Sequence, residues 1–127
     1  MNNHKFSRFA PVALRFGLSA VYLWFGISQI TDADSWTVWV PNWAVSISGM
    51  NQTTIVLING WLETIAGILL AAGFLTRWVT LILTVHMFVL VFEIGLNDIG
   101  VRDFGLAMAT LSLFLFGKDD YSLDSRI

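Results

Sequence analysis

The chain has 127 residues, of which 56% are hydrophobic and 13% charged, and a net charge of −2; its mean hydropathy is +0.70. Soluble domains run near ~25% charged, so a water-facing coat is excluded, and the length leaves room for one domain. The net negative charge and lack of a basic arm exclude nucleic acid as a partner, and the absence of cysteine removes disulfides, thiolate metal sites and thiol nucleophiles.

Four apolar stretches are each long enough, or nearly so, to cross a hydrocarbon core of ~30 Å, which takes roughly 20 helical residues. The first covers 9–30, with Pro11 in its opening turn. Its apolar run is too long for a leader peptide and continues without a clear small-x-small cleavage site, so it is read as a retained span. Residues 31–52 follow as a connection carrying Trp36, Trp39 and Trp43, and tryptophans in such a place fit the membrane–water interface. The second span is 53–75, and a tight turn around Thr76 joins it to the third, 77–96, as an antiparallel hairpin. A short turn at Asn97–Asp98 leads to the fourth, 99–116, and residues 117–127 form a polar tail expected to leave the membrane. The expected fold is an all-α integral membrane four-helix bundle, up-down-up-down, with an interfacial Trp-rich segment between the first two helices. Lys5, Arg8, Arg77, Lys118 and Arg126 share one face of such a bundle, with Arg15 just inside it; the other face has Arg102. The bias places both termini in the cytoplasm and the Trp segment outside.

The chemistry rests on polar residues inside the spans. A charge at mid-span costs ~2.5–3.5 kcal/mol on insertion scales, so such groups must face the bundle interior and pair, or reach outward. Arg15 is near enough to the edge to snorkel. Counting a rise of ~1.5 Å per residue puts Glu63 and His86 near mid-depth, and Glu93, Arg102 and Asp103 on one level in the outer half. His86 and Glu93, seven apart, share a helix face that Asn97 continues. Gly60, Thr64, Gly67 and Ala71 form a stripe of small residues that admits a close neighbour. Glu63 borders this stripe and therefore points at a helix interface, with His86 or Arg102 as its candidate partner. Met1, Met50, Met87 and Met108 are scattered as packing residues, and two histidines, one near the N-terminus, make no metal site. Ser122 has no base in triad-like placement, and no phosphate loop exists.

The pattern resembles the DoxX family of small four-helix membrane proteins. Leu14-Arg15 and Phe25-Gly26 on the first helix carry it, as does the run Gly60-x-x-Glu63-x-x-x-Gly67-x-x-Leu70-x-x-Gly73-x-x-Thr76-Arg77. The ending Gly117-Lys118-Asp119-Asp120-Tyr121-Ser122-Leu123-Asp124 is similar to the family's tail, so the likeness is nearly full length. Relatives often carry Lys shortly after Phe-Gly, where this chain has Gln29. Without that Lys, Arg102 alone is left to offset Glu93 and Asp103. The resemblance implies a prokaryotic cell-membrane protein connected with quinone-linked redox systems.

The expected function is an accessory subunit of such a system, without intrinsic cofactor or catalysis of its own. A quinone or other lipophilic small molecule would sit in an outer-half polar pocket. Glu63 and His86 would handle protons, while Arg102, Glu93, Asp103 and Gln29 complete the set of ligand-binding candidates. The alternative is a non-catalytic membrane adaptor whose buried charges are structural. Expected partners are the lipid bilayer and a membrane or redox protein.

Overall fold

The computed structural model describes residues 4–126. Met1 and the side chains of His4 and Lys5, which entered the readings of packing, metal sites and flank charge, lie outside the described residues. A short helix, α1 (His4–Ser7), precedes α2 (Ala10–Thr31); a 3-10 helix at Ala33–Trp39 and then α3 (Asn42–Ser48) occupy the connection. Next come α4 (Gln52–Ala72), α5 (Thr76–Ile94) and α6 (Asp98–Phe116), and a 3-10 turn at Leu123–Arg126 ends the chain. Among the described residues there is no strand.

Helices α2, α4, α5 and α6 are long and apolar enough to cross a membrane, and only 28–33% of each is buried. The rest of their surface is apolar and exposed, with Trp24, Trp78 and Phe92 among its large side chains, as a lipid-facing exterior requires. The starts and stops have local causes. Pro11 stands in the first turn of α2, where its missing N–H breaks no bond. Asn51 and Asn97 cap α4 and α6, their side-chain oxygens accepting from Thr54 N and Gly100 N at 2.8 and 2.9 Å. Asn97 thus caps α6 rather than extending the His86–Glu93 face. Gly73, at φ +70°, closes α4.

Packing divides the bundle into two antiparallel pairs. Helix α2 lies most intimately on α4, and α5 on α6, while the sequential neighbours α4 and α5 touch far less. The α4–α5 hairpin of the sequence reading is therefore a chain connection rather than the main packing unit. The reason is the small-residue stripe. A Cβ on Gly60 would come within 2.9 Å of Gln29 Cβ and 3.0 Å of Gly26 O, and one on Gly67 within 2.8 Å of Leu23 Cγ. Ser19 Oγ donates to Gly67 O at 2.7 Å across the same contact. On the α2 side, Arg15, Tyr22 and Gln29 recur every seven residues, and Ser19 and Gly26 share their face; all five are buried. Leu18, Tyr22, Ala66, Leu70, Leu83, Met87, Ala107 and Leu113 form the core between the pairs.

One expectation fails at the terminal end of the bundle. Arg15 does not snorkel: it is 1% exposed, pairs with Asp119 Oδ2 at 2.7 Å, and donates to Leu70 O and Ala71 O at 2.9 and 2.6 Å. Those carbonyls end α4, where intrahelical donors run out. The tail, expected to leave the membrane, is held against this end of the bundle. Asp119 and Ser122 are buried, Ser122 lies on Gly73, and Asp124 N donates to Gly73 O at 3.0 Å. The Asp124 carboxylate accepts from Leu75 N and Thr76 N at 2.7 and 2.8 Å, capping α5 from 48 residues away. Leu75 has φ 54° and makes no side-chain cap of its own, so the tail supplies what the local sequence lacks. Across the same end, Arg77 donates to Phe114 O and Leu115 O at 3.2 and 3.4 Å.

This strap is acid-sensitive. Burial pushes the Asp124 carboxyl up, but the hydrogen bonds from Thr76 and Leu75 outweigh it and hold the group below its ordinary value of 3.8. A carboxyl with a depressed folded pKa contributes stability that is present above the ordinary value and is lost as pH falls through the folded one. Asp124→Ala is expected to cost about 1 kcal/mol, the usual value of a helix cap. The wild-type margin over this variant should persist at neutral pH and vanish on acidification below 3.8, read by thermal melts in detergent. A margin that stays constant down to strongly acidic pH would contradict the cap.

Candidate functional site

The seam between the two helix pairs holds a cavity of about 420 Å³. Aliphatic and aromatic side chains make most of its wall. Trp36, Trp39 and Trp43 line it from the connecting segment, and Tyr22, Phe25 and Met87 from the helices. The tryptophan segment thus packs inward as well as outward. Trp36 meets Phe25 edge-on at 5.7 Å, and Trp43 Nε1 donates to Glu93 Oε2 at 2.9 Å.

All six candidate residues line this cavity, but they fall into three groups. The first is a buried polar patch around Glu63, which is 4% exposed. Gln29 Nε2 donates to Glu63 Oε2 at 3.0 Å, Asn59 Nδ2 to Glu63 Oε1 at 3.3 Å, and His86 Nε2 lies 3.3 Å from that same oxygen. Asn59 also donates to Gln29 Oε1 at 2.7 Å. The helix geometry explains the assembly. Asn59 and Glu63 are four apart on α4 and so share a face, and Gln29 reaches them because Gly60 and Gly26 bring the two backbones together. The partner of Glu63 is His86, not Arg102. Gln29 is one of its hydrogen-bond donors.

The second group is Arg102 with Asp103. Arg102 Nε and Nη2 both bond Asp103 Oδ1 at 3.2 Å, and the guanidinium lies 5.6 Å from the centre of the Phe25 ring. The third is Glu93 with Trp43. The expected three-member cluster is therefore not formed: among the described residues no ion pair joins Glu93 to Arg102. Equal depth does not ensure contact. Glu93 sits near the end of α5, exposed, where the indole N–H reaches it, and the Arg102 side chain is 54% exposed against 8% for Asp103.

This division has a measurable consequence. Arg102→Ala and Glu93→Gln should alter stability additively, within about 0.5 kcal/mol. Arg102→Ala and Asp103→Asn should couple, because the second variant removes the buried carboxylate that the first strands. Chemical denaturation of the two double-mutant cycles separates these cases, and strong coupling to Glu93 would restore the single cluster.

Sequence reasoning missed Asn59 and Tyr22. Both had a signal: Asn59 stands one turn before Glu63, and Tyr22 falls midway in the Arg15–Gln29 spacing. Tyr22 is 2% exposed and bonds Thr110 at 2.8 Å, tying α2 to α6 beneath the cavity's polar patch.

Comparison with curated proteins and with solved structures found no match. The sequence model of the DoxX family matches residues 10–95, from the start of α2 to the end of α5. The match is thus shorter than the nearly full-length likeness read from the motifs, and it leaves α6 and the tail strap beyond it. It does take in Arg15, the Gly60–Gly67 stripe, Glu63 and His86, which organise the packing and the polar patch. Over two thirds of its length, in the four-helix form the motifs predicted, this multi-pass membrane protein belongs to the DoxX family.

Proposed function

We propose that the protein is an accessory subunit of a quinone-linked redox system in the cell membrane, with both termini cytoplasmic, and that its cavity holds a quinone-like lipophilic molecule. One observation carries this reading: the cavity is apolar and aromatic over most of its wall, with its buried hydrogen-bonding groups gathered around Glu63 and Asp103. Small-molecule sites have this mixed character and volumes of ~300–1,000 Å³, a range that includes this cavity. A quinone would supply the redox chemistry when bound. The chain's own residues would hold its ring among the tryptophans, place its polar groups near Arg102 and Asp103, and keep a proton at the Glu63–His86 pair. The excess of Lys and Arg at the terminal end supports the orientation.

The test is purification from native membranes followed by mass spectrometry of the lipophilic extract. A prenylquinone at near-stoichiometric amount is expected from the wild type, and its loss from Leu90→Trp, which fills the cavity wall. A wild-type extract free of lipophilic small molecules other than phospholipid would count against the reading. The adaptor reading draws on Val38 and Ile47, 78% and 82% exposed on the connecting segment outside the spans. Co-purification of a membrane protein that is lost on Ile47→Glu, with no bound small molecule, would favour it.

A further inference from the structure

The buried wall of the cavity offers hydrogen-bond acceptors to a ligand but almost no donors. Thr110 donates its hydroxyl to Leu106 O at 2.8 Å, so in the Tyr22–Thr110 contact the tyrosine must be the donor. Both amide hydrogens of Gln29 are used, on Phe25 O at 3.1 Å and Glu63 Oε2 at 3.0 Å. Both of Asn59 are used, on Gln29 Oε1 and Glu63 Oε1. His86 directs Nε2 at Glu63 Oε1, so a hydrogen on that nitrogen is used there; Nδ1 is an acceptor in the neutral ring and a donor in the charged one. At Asp103 both bonds from Arg102 fall on Oδ1. The residue is 6% exposed and lines the cavity, and no donor among the described residues bonds its Oδ2. The remaining side-chain N–H groups of the lining belong to Arg102, Trp36 and Trp39, whose side chains are half-buried to exposed at the rim.

A ligand head with carbonyl oxygens alone would set lone pairs against lone pairs at Asp103. A hydroxyl there would make a charge-assisted bond, the strong kind, and a site built around one polar partner rejects the analogue that lacks it. We propose that the cavity selects a lipophilic ligand whose polar head donates hydrogen bonds, such as a hydroxylated ring, and that Asp103 is the acceptor that reads it. This rests on the ligand-binding reading above and, within it, assigns the hydroquinone as the bound form in preference to the quinone. Each tenfold preference for the reduced form raises the midpoint potential of the bound two-electron couple by about 30 mV.

The test is calorimetric titration of the full chain in lipid nanodiscs, without oxygen, using two probe pairs. One pair is a short-chain ubiquinol and its ubiquinone; the other, redox-inert, is 4-propylphenol and its methyl ether. The hydroxylated member of each pair is expected to bind at least about tenfold more tightly, and Asp103→Asn, whose amide both donates and accepts, to abolish most of that preference. If this variant fails to fold, the wild-type comparison decides alone. Equal affinities, or tighter binding of the quinone and the ether, overturn the inference and leave ligand binding standing. Discrimination of phenol from ether with neither quinone form bound supports the inference and removes the quinone. Binding of none of the four overturns both.

Discussion

Arg15→Ala is expected to lower unfolding stability in detergent by about 3–5 kcal/mol, the usual result of stripping one partner from a buried ion pair. The substitution strands the Asp119 carboxylate, which is 5% exposed, and removes two donors from the last carbonyls of α4. It also loosens the tail, because the strap that caps α5 is anchored through Asp119. Adding Asp119→Asn should recover part of the loss, since the stranded charge is then gone. Thermal melts of both variants, with limited proteolysis of the C-terminus, give the answer. An Arg15→Ala protein that melts with the wild type and keeps its tail protected would return Arg15 to the snorkelling role and remove the strap.

The second large effect lies at the α2–α4 contact. Gly67→Leu inserts a branched side chain where a Cβ alone would already stand 2.8 Å from Leu23 Cγ, and overpacking of this kind costs about 1–3 kcal/mol or more. Gly26→Ala should be severe for its size. Its Cβ would meet the α4 backbone at Thr64 N, 2.7 Å away, and at Gly60 O, 2.9 Å away; backbone cannot turn aside as the end of a leucine can. It would also push Gln29 away from Glu63 and open the polar patch. Gly17→Ala and Gly105→Ala are the controls: nothing lies within 4 Å of a Cβ at either. They should be neutral or stabilising by up to about 1 kcal/mol, from helix propensity. Were Gly26→Ala as harmless as these controls, the two helices would not approach as closely as the packing requires.

The spans were legible because bilayer crossing is a one-dimensional constraint. Length and hydropathy suffice to find 9–30, 53–75, 77–96 and 99–116, and the observed helices Ala10–Thr31, Gln52–Ala72, Thr76–Ile94 and Asp98–Phe116 differ at their ends by a few residues. The close face of α4 was legible for a similar reason. Small residues at helical spacing mark one side of a helix whatever its partner, and Glu63 beside them could point only inward. The family motifs joined these same residues together.

Other features needed the third dimension. Depth counting puts Glu93, Arg102 and Asp103 level, but a level is a plane, and azimuth around the bundle decides who touches whom. Only the tertiary structure turns Asp103 to Arg102, hands Glu93 to Trp43 and sets His86 on Glu63. It alone shows that α2 takes α4 as its close partner, leaving the cavity on the seam between the pairs. The tail is the sharpest case. By composition residues 117–127 are polar and belong in water, and Arg15 is a long cation within reach of an edge. Each reading is sound for a residue considered alone. Brought together, Arg15 and Asp119 neutralise one another at 2.7 Å, and Asp124 meets backbone donors at the start of α5 that have no local acceptor. Two groups that would each seek water separately can be buried as a pair, and sequence distances of 104 and 48 residues hide that pairing from any local reading.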